Sequence, residues 1–260
     1  NKKDNKGMSP FQYAVKYNNK QVIALLKSAK ITDRKYKVQI SDNLIAGKSA
    51  KNELIVTHTG NSGWLIKHKD QILIFDYYEV SNFSSDPALA NGVITPELLK
   101  GKKVKVFVSH GDADHFSSKI TDWEKVNPQI EYYFGFDPNS IDNRQEVFPL
   151  PKYTRLASDS CYTIGNIKIA LFKSPVDTGS GFIVRLDDLT ILHTGDAVYQ
   201  DNDWPNPYSR ILEKYSREFS KVDLAFLPVT SCGFHNEDAL NKSIETVMDL
   251  FKPVHVFPMH

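Results

Sequence analysis

Cysteine is scarce in this chain of 260 residues. Cys161 and Cys232 are the only two, they lie far apart, and no CxxC spacing occurs. A disulfide framework and a cysteine zinc motif are therefore excluded. Two buried free thiols are the expectation, with a single bridge between them as the alternative. An excess of charge of one sign is missing as well: 32 Lys and Arg stand against 31 Asp and Glu, for a net charge of +1. Nothing in that balance draws the chain to nucleic acid or to an anionic membrane, although a local basic groove stays open. Long apolar runs are also lacking. The longest, such as Gln71-Ile72-Leu73-Ile74-Phe75, are strand-sized and too short to cross a bilayer as a helix. The chain opens on Asn1, not Met, so an upstream segment is expected to have been removed, and the compartment stays open.

What is present is ordinary globular material, with 41% hydrophobic and 24% charged residues. The length suits one large domain, or a medium one with an appendage. Residues 1–31 differ from the rest. Ser9-Pro10 reads as an N-cap followed by the first helical position, with Phe11, Ala14 and Val15 on one stripe. Val22, Leu25 and Leu26 form the next stripe. The pattern resembles one ankyrin repeat, and a plain helical hairpin is its alternative. A single repeat cannot bury both faces, so it predicts a docked appendage and a protein partner. Residues 32–50 read as a connector holding one strand at Lys37–Ile40.

From residue 51 onward the pattern is strand-rich. Leu54–Thr57, Trp64–His68 and Gln71–Phe75 read as strands, the last two joined by a Lys69-Asp70 hairpin. Further strands are expected at 104–108, 131–134, 167–172, 182–186, 190–193, 222–227 and 254–257. Helices are expected at 118–126, 208–219 and, capped by Asn236, up to Phe251. Two strand-rich halves, each closing with helix and strand, suggest two sheets packed face to face with helices outside.

Chemistry gathers where strands end. The apolar run Val104–Val108 empties into His110-Gly111-Asp112-Ala113-Asp114-His115. Carboxylates crowded this tightly repel, and a cation is the usual reason for collecting them beside imidazoles. Three more strand ends carry ligand-type residues: Asp177 in Ser174–Gly181, Asp196 in Thr194-Gly195-Asp196, and His260 in Pro258-Met259-His260. All four could converge on one edge of the sheets.

Taken in this order, the motifs resemble the metallo-β-lactamase superfamily of metal-dependent hydrolases. The likeness runs from about Leu54 to His260. It includes the hairpin Gly63-Trp64-Leu65-Ile66 with Ile74-Phe75-Asp76, the His-rich cluster, Thr194-Gly195-Asp196 and the closing Pro258-Met259-His260. Val222–Pro228, a helix and then Pro-x-His look most similar to the branch containing the L-ascorbate-6-phosphate lactonase. The resemblance implies a four-layer αββα sandwich over residues 51–260. It places His110, Asp112 and Asp177 at a first metal, and Asp114, His115 and His260 at a second. Asp196 takes the bridging position, and Asp76 the acid that orients the site. Asp114 also matches the proton acceptor or water-orienting ligand.

The chain departs from the family twice in one half-site, because His is usual at the positions of Asp112 and Asp177. Asp112, Asp114, Asp177 and Asp196 would then bring four carboxylates together. One such pair at about 4 Å repels by roughly 4 kcal/mol at an effective dielectric of about 20. One or two divalent ions are the implied cofactor. The carboxylate-rich half suits Mn²⁺ or Mg²⁺, and the half with two His and two Asp suits Zn²⁺ or Fe. The nuclease-like domain of the DNA-uptake channel family is similar in having His-x-Asp-x-Asp-His, which favours an altered site over decay. The expected activity is a metal-activated water acting on a phosphoester, a lactone or a related ester. The competing expectation is a degenerate scaffold whose repeat mediates protein interaction.

Other residues carry less weight. His193 and His255 are expected to be packed in strands, and His58 and His68 exposed on the early hairpin. His235, in a loop ahead of a helix, is a candidate substrate contact. Gly179-Ser180-Gly181 is too weak for a phosphate loop; its small residues are expected to let Asp177 reach the metal.

Overall fold

Alternation along the strands decides which side chains meet. In a strand successive residues face opposite ways, so β5 (Lys103–Val108) sends Val104, Val106 and Val108 to one core and Phe107 to another. Both faces of the strand are thus buried, as a sheet covered on each side requires. The computed structural model describes residues 36–40, 52–78, 88–139, 148–199, 208–229 and 237–260.

The first sheet runs in chain order: β1 (Lys37–Ile40), β2 (Glu53–Gly60), β3 (Gly63–His68), β4 (Gln71–Phe75), β5, β6 (Glu131–Phe134) and β7 (Tyr153–Arg155). The second contains β8 (Cys161–Ile164), β9 (Ile167–Lys173), β10 (Ser180–Leu186), β11 (Leu189–His193), β12 (Leu224–Pro228) and β13 (His255–Met259). Its order is β13-β12-β11-β10-β9-β8. Each half has antiparallel hairpins, β2-β3-β4 and β8-β9-β10-β11, followed by parallel strands: β4, β5, β6 and β7 in one, β11, β12 and β13 in the other. Parallel neighbours need a crossover, and helices supply it between β5 and β6, β11 and β12, and β12 and β13. Helix α2 (Ile120–Val126) follows β5, α3 (Tyr208–Ser216) follows β11, and α4 (Glu237–Phe251) joins β12 to β13.

Three cores hold these layers. Between the sheets lie Trp64, Phe75, Phe107, Phe182, Phe226 and their neighbours. Outside the first sheet, Trp123 and Ile120 of α2 and Leu99 of α1 (Pro96–Leu99) cover Val104, Val106 and Ile74. Outside the second, Leu212 and Tyr215 of α3 and Val247 and Phe251 of α4 cover Ile183, Leu192 and Ala225. The result is an αββα sandwich. Each fully buried aliphatic or aromatic side chain contributes roughly 1.5–3 kcal/mol. Among the described residues, no helix is long and apolar enough to cross a membrane.

Two edge strands, β7 and β8, and the short α1 were not anticipated. The strand at 37–40, expected inside a connector, pairs in parallel with β2 and forms the edge of the first sheet. Two burial expectations are corrected. His68 is buried at 0% exposure, because Tyr36, just ahead of β1, lays its ring edge-on 5.5 Å away. Cys161 is an exposed free thiol, since β8 pairs only with β9 at the rim. The ankyrin-like stretch 1–31, Cys232, His235 and the Asn236 cap lie outside the described residues.

Candidate metal centre

The centre is assembled at the carboxyl ends of parallel strands, where open α/β sheets leave a crevice. Asp76 follows β4, Ser109 and His110 follow β5, Asp196 follows β11, and His260 follows β13. Asp76 is in the left-handed region, φ 43°, which turns its side chain inward at the strand end. There Oδ1 accepts the Ser109 amide N–H at 2.7 Å. Oδ2 accepts the Ser109 hydroxyl at 2.6 Å and His115 Nδ1 at 2.9 Å. Burial pushes the Asp76 carboxyl up, but His193, His115 and His110 outweigh it and hold it below the usual range.

This arrangement settles which ring nitrogens carry protons. Ser109 has one hydroxyl proton, and the ionised Asp76 takes it. His110 Nδ1, 2.9 Å from the same oxygen, must then be the donor. His115 Nδ1 likewise donates to Asp76. Both imidazoles therefore present Nε2 to the crevice. Both Nε2 atoms are buried; His110 Nε2 has no hydrogen-bond partner, and His115 Nε2 has only an ion-pair contact with Asp196. Buried polar atoms are rarely left so, and each one calls for an explanation.

Asp196 is the group they face. Its Oδ1 lies 3.1 Å from His115 Nε2 and 2.6 Å from His260 Nε2, and its Oδ2 lies 3.6 Å from His110 Nε2. Burial pushes the Asp196 carboxyl up, yet His115 and His260 outweigh it and hold it far below the usual range. Burial lowers the His115 pKa, and Asp196 and Asp76 more than reverse that, raising it well above the ordinary value. Two carboxylates thus demand positive charge at His115, which a proton or a cation can supply.

The donor atoms form two overlapping groups, each within 4.8 Å: His110, His115 and Asp196, and Asp114, His115 and His260. Imidazole nitrogens with carboxylate oxygens at this spacing fit a divalent transition ion. Asp114 Oδ2 is 3.7 Å from His115 Nε2 and accepts the Asn61 side-chain amide at 2.8 Å.

Asp112 and Asp177 belong to neither group. Asp112 is half-exposed, with Oδ2 3.7 Å from His110 Nε2. Its carbonyl accepts the amides of His115 and Phe116, so the backbone of the turn is its main contribution. Asp177 accepts the amide of Gly179 at 2.6 Å within its own loop. Gly179 also has a steric reason to be small. A Cβ there would sit 2.7 Å from the Cβ of His110, so the loop packs directly on that histidine.

His193 is a packed histidine. Nε2 donates to Ser62 O at 2.9 Å, Nδ1 accepts Gly195 N–H at 3.3 Å, and the ring stacks on Phe75. Burial lowers its pKa, against the pull of the nearby Asp76. Sequence reasoning missed Ser109 and Asn61. The Asn61-Ser62-Gly63 hairpin signal marks the second as a turn residue, and no local pattern marks it as a neighbour of Asp114.

Comparison with known proteins was consistent with this geometry. The family described as the beta-lactamase superfamily domain matches residues 55–260. A metal-dependent hydrolase of Pyrococcus furiosus is 26% identical over 227 residues, covering 79% of this chain and 83% of that protein. Among solved structures, Igni18, a metallo hydrolase from the archaeon Ignicoccus hospitalis, is similar at TM-score 0.52 and 16% identity. That match covers 79% of this chain and 81% of the other. CmlA, a diiron β-hydroxylase from Streptomyces venezuelae, is similar at TM-score 0.54 and 13% identity, covering 80% of this chain but 44% of that one. At these identities the structural likeness establishes the fold alone.

Proposed function

This chain belongs to the metallo-β-lactamase superfamily, a metal-dependent hydrolase by its relatives, and from that premise we propose how its residues work. Asp114, His115, His260 and Asp196 hold one divalent ion, with His110 Nε2 3.6 Å from Asp196 Oδ2. One ion is the count because His115 belongs to both donor groups. Its Nδ1 is committed to Asp76, so a single lone pair on Nε2 serves a single ion. Two or three imidazoles beside carboxylates suit zinc or iron, with manganese the next candidate.

A bound ion supplies a Lewis acid and lowers the pKa of a water. The residues do the rest. Asp76 fixes the tautomer and ring plane of His115, Ser109 does so for His110, and Asp114 accepts the proton of the attacking water. The substrate proposed is a small phosphoester, a lactone or a related ester, in keeping with the resemblance of the 222–260 sequence to the lactonase-containing branch.

The observation that carries this reading is the pair of buried Nε2 atoms that converge on Asp196, with His110 Nε2 left without a hydrogen-bond partner. Metal analysis of the purified chain tests it. One ion per chain, lost in His115→Ala, is expected, and turnover on a panel of phosphodiesters and lactones with Zn²⁺ or Mn²⁺ names the substrate class. Absence of metal together with unchanged stability in chelator would overturn it. The capture of Asp177 by its own loop favours a second reading, a scaffold with a residual ion site and a partner bound by the N-terminal repeat. Stoichiometric metal with no turnover across the panel is its signature.

A further inference from the structure

The hairpin between β2 and β3 reaches the centre without contributing a ligand. Its tip is held unusually firmly. His58 Nε2 donates to the carbonyl of Asn61 at 2.9 Å, and His193 Nε2 donates to that of Ser62 at 2.9 Å. Gly63 leaves no room for a Cβ, which would meet Thr59 Oγ1 at 2.4 Å and the Asp76 carbonyl at 2.9 Å. Asn61 itself has φ 43°, a left-handed conformation that Asn tolerates better than most residues. A tip pinned at both carbonyls delivers the Asn61 amide to one place, and there Nδ2 meets Asp114 Oδ2 at 2.8 Å.

The parallel with the other donors is close. His115 is oriented by Asp76, and His110 by Ser109. Asp114 is about a third exposed, on the turn that follows β5, and a carboxylate there has rotamers to choose between. We propose that Asn61 is a positioning residue of the metal centre, which holds the Asp114 carboxylate in the orientation that joins His115 and His260. The inference rests on the ion site proposed above. It adds that the β2–β3 tip, 53 residues away in sequence, is part of that site's framework.

A purely structural Asn would serve only the left-handed turn, and glycine serves that turn equally well. Asn61→Gly therefore separates the roles. Zn²⁺ affinity of the full chain is measured by competition with a chromophoric chelator, beside thermal unfolding of the metal-free protein. Asn61→Gly is expected to bind Zn²⁺ roughly tenfold to a hundredfold more weakly, the usual cost of losing an outer hydrogen bond to a ligand, with the metal-free midpoint lowered only by the few degrees that one partly exposed hydrogen bond is worth. Asn61→Asp, which sets carboxylate against carboxylate, is expected to lose more. In an Asp114→Ala background, Asn61→Gly should add less than about twofold, because the pair acts as one unit. Equal affinity in wild type and Asn61→Gly overturns the proposal, as does a full additional loss without Asp114. Absence of Zn²⁺ binding by the wild type sinks the ion site itself, and this inference with it, so the two failures are distinguishable.

Discussion

The two ends of one sandwich hold similar charged groups and treat them in opposite ways. At the end where β4, β5 and β6 begin, Lys105 is buried along its length and its ammonium pairs with Glu131. Tyr133 donates to the other oxygen of that carboxylate, and Lys103 pairs with Asp70. Burial pushes the Glu131 carboxyl up, and Lys105 and Tyr133 outweigh it and hold it below the ordinary range. A cavity of about 460 Å³ opens there, lined by Gln71, Lys105, Glu131 and Asn166, among others. At the end where the strands finish, acids and imidazoles converge, and the buried Nε2 of His110 goes without a hydrogen-bond partner. Charges that neutralise one another in place contribute to stability. Charges arranged around a gap are costly to the apo fold and are explained by a cation.

Breaking the ligand end is expected to have the largest effect. His115→Ala should lower metal affinity by roughly a thousandfold or more, since it removes the nitrogen common to both donor groups, and equilibrium dialysis with metal analysis reads it directly. Asp76→Asn should cost about tenfold to a hundredfold, because an amide NH₂ would face His115 Nδ1–H in place of an acceptor. Retention of full affinity in either variant would erase the contrast.

The opposite end should answer in stability alone. Glu131→Gln leaves Lys105 buried without its counter-charge. The expected loss is about 1 kcal/mol, discounted because Glu131 is half-exposed, with metal affinity unchanged. The sign with pH follows from the depressed carboxyl. Its stabilisation is fully present above the ordinary glutamate range and disappears as pH falls through the lower folded value. Urea unfolding should therefore show a wild-type advantage over Glu131→Gln at neutral pH that shrinks below about pH 4. The smallest effect is expected at Asp177→Ala, under about threefold in metal affinity, since its carboxylate is tied to Gly179. A tenfold loss there would bring the first half-site back into the centre.

Much of this was readable before the fold was known. The strands at 64–68, 71–75 and 131–134 and the cluster at 110–115 stand out because alternation and residue type are local signals. Edge strands β7 and β8 did not, since three or four residues are too few for alternation to stand out from the surrounding loops. The same position at the rim exposes Cys161, whereas Tyr36 buries His68. The Asp177 carboxylate turned to a nearby amide, a choice between neighbours that spacing alone does not decide.

By itself the sequence determined the layering and the strand ends that carry ligands, because hydrophobic period and turn chemistry act over a few residues. Tertiary structure alone decided which of the acids face one another, which histidines are packed and which present a lone pair. It also brought Asn61 to Asp114 across 53 residues. Such contacts depend on how two sheets and their loops are brought together in space, and no stretch of chain encodes that distance locally.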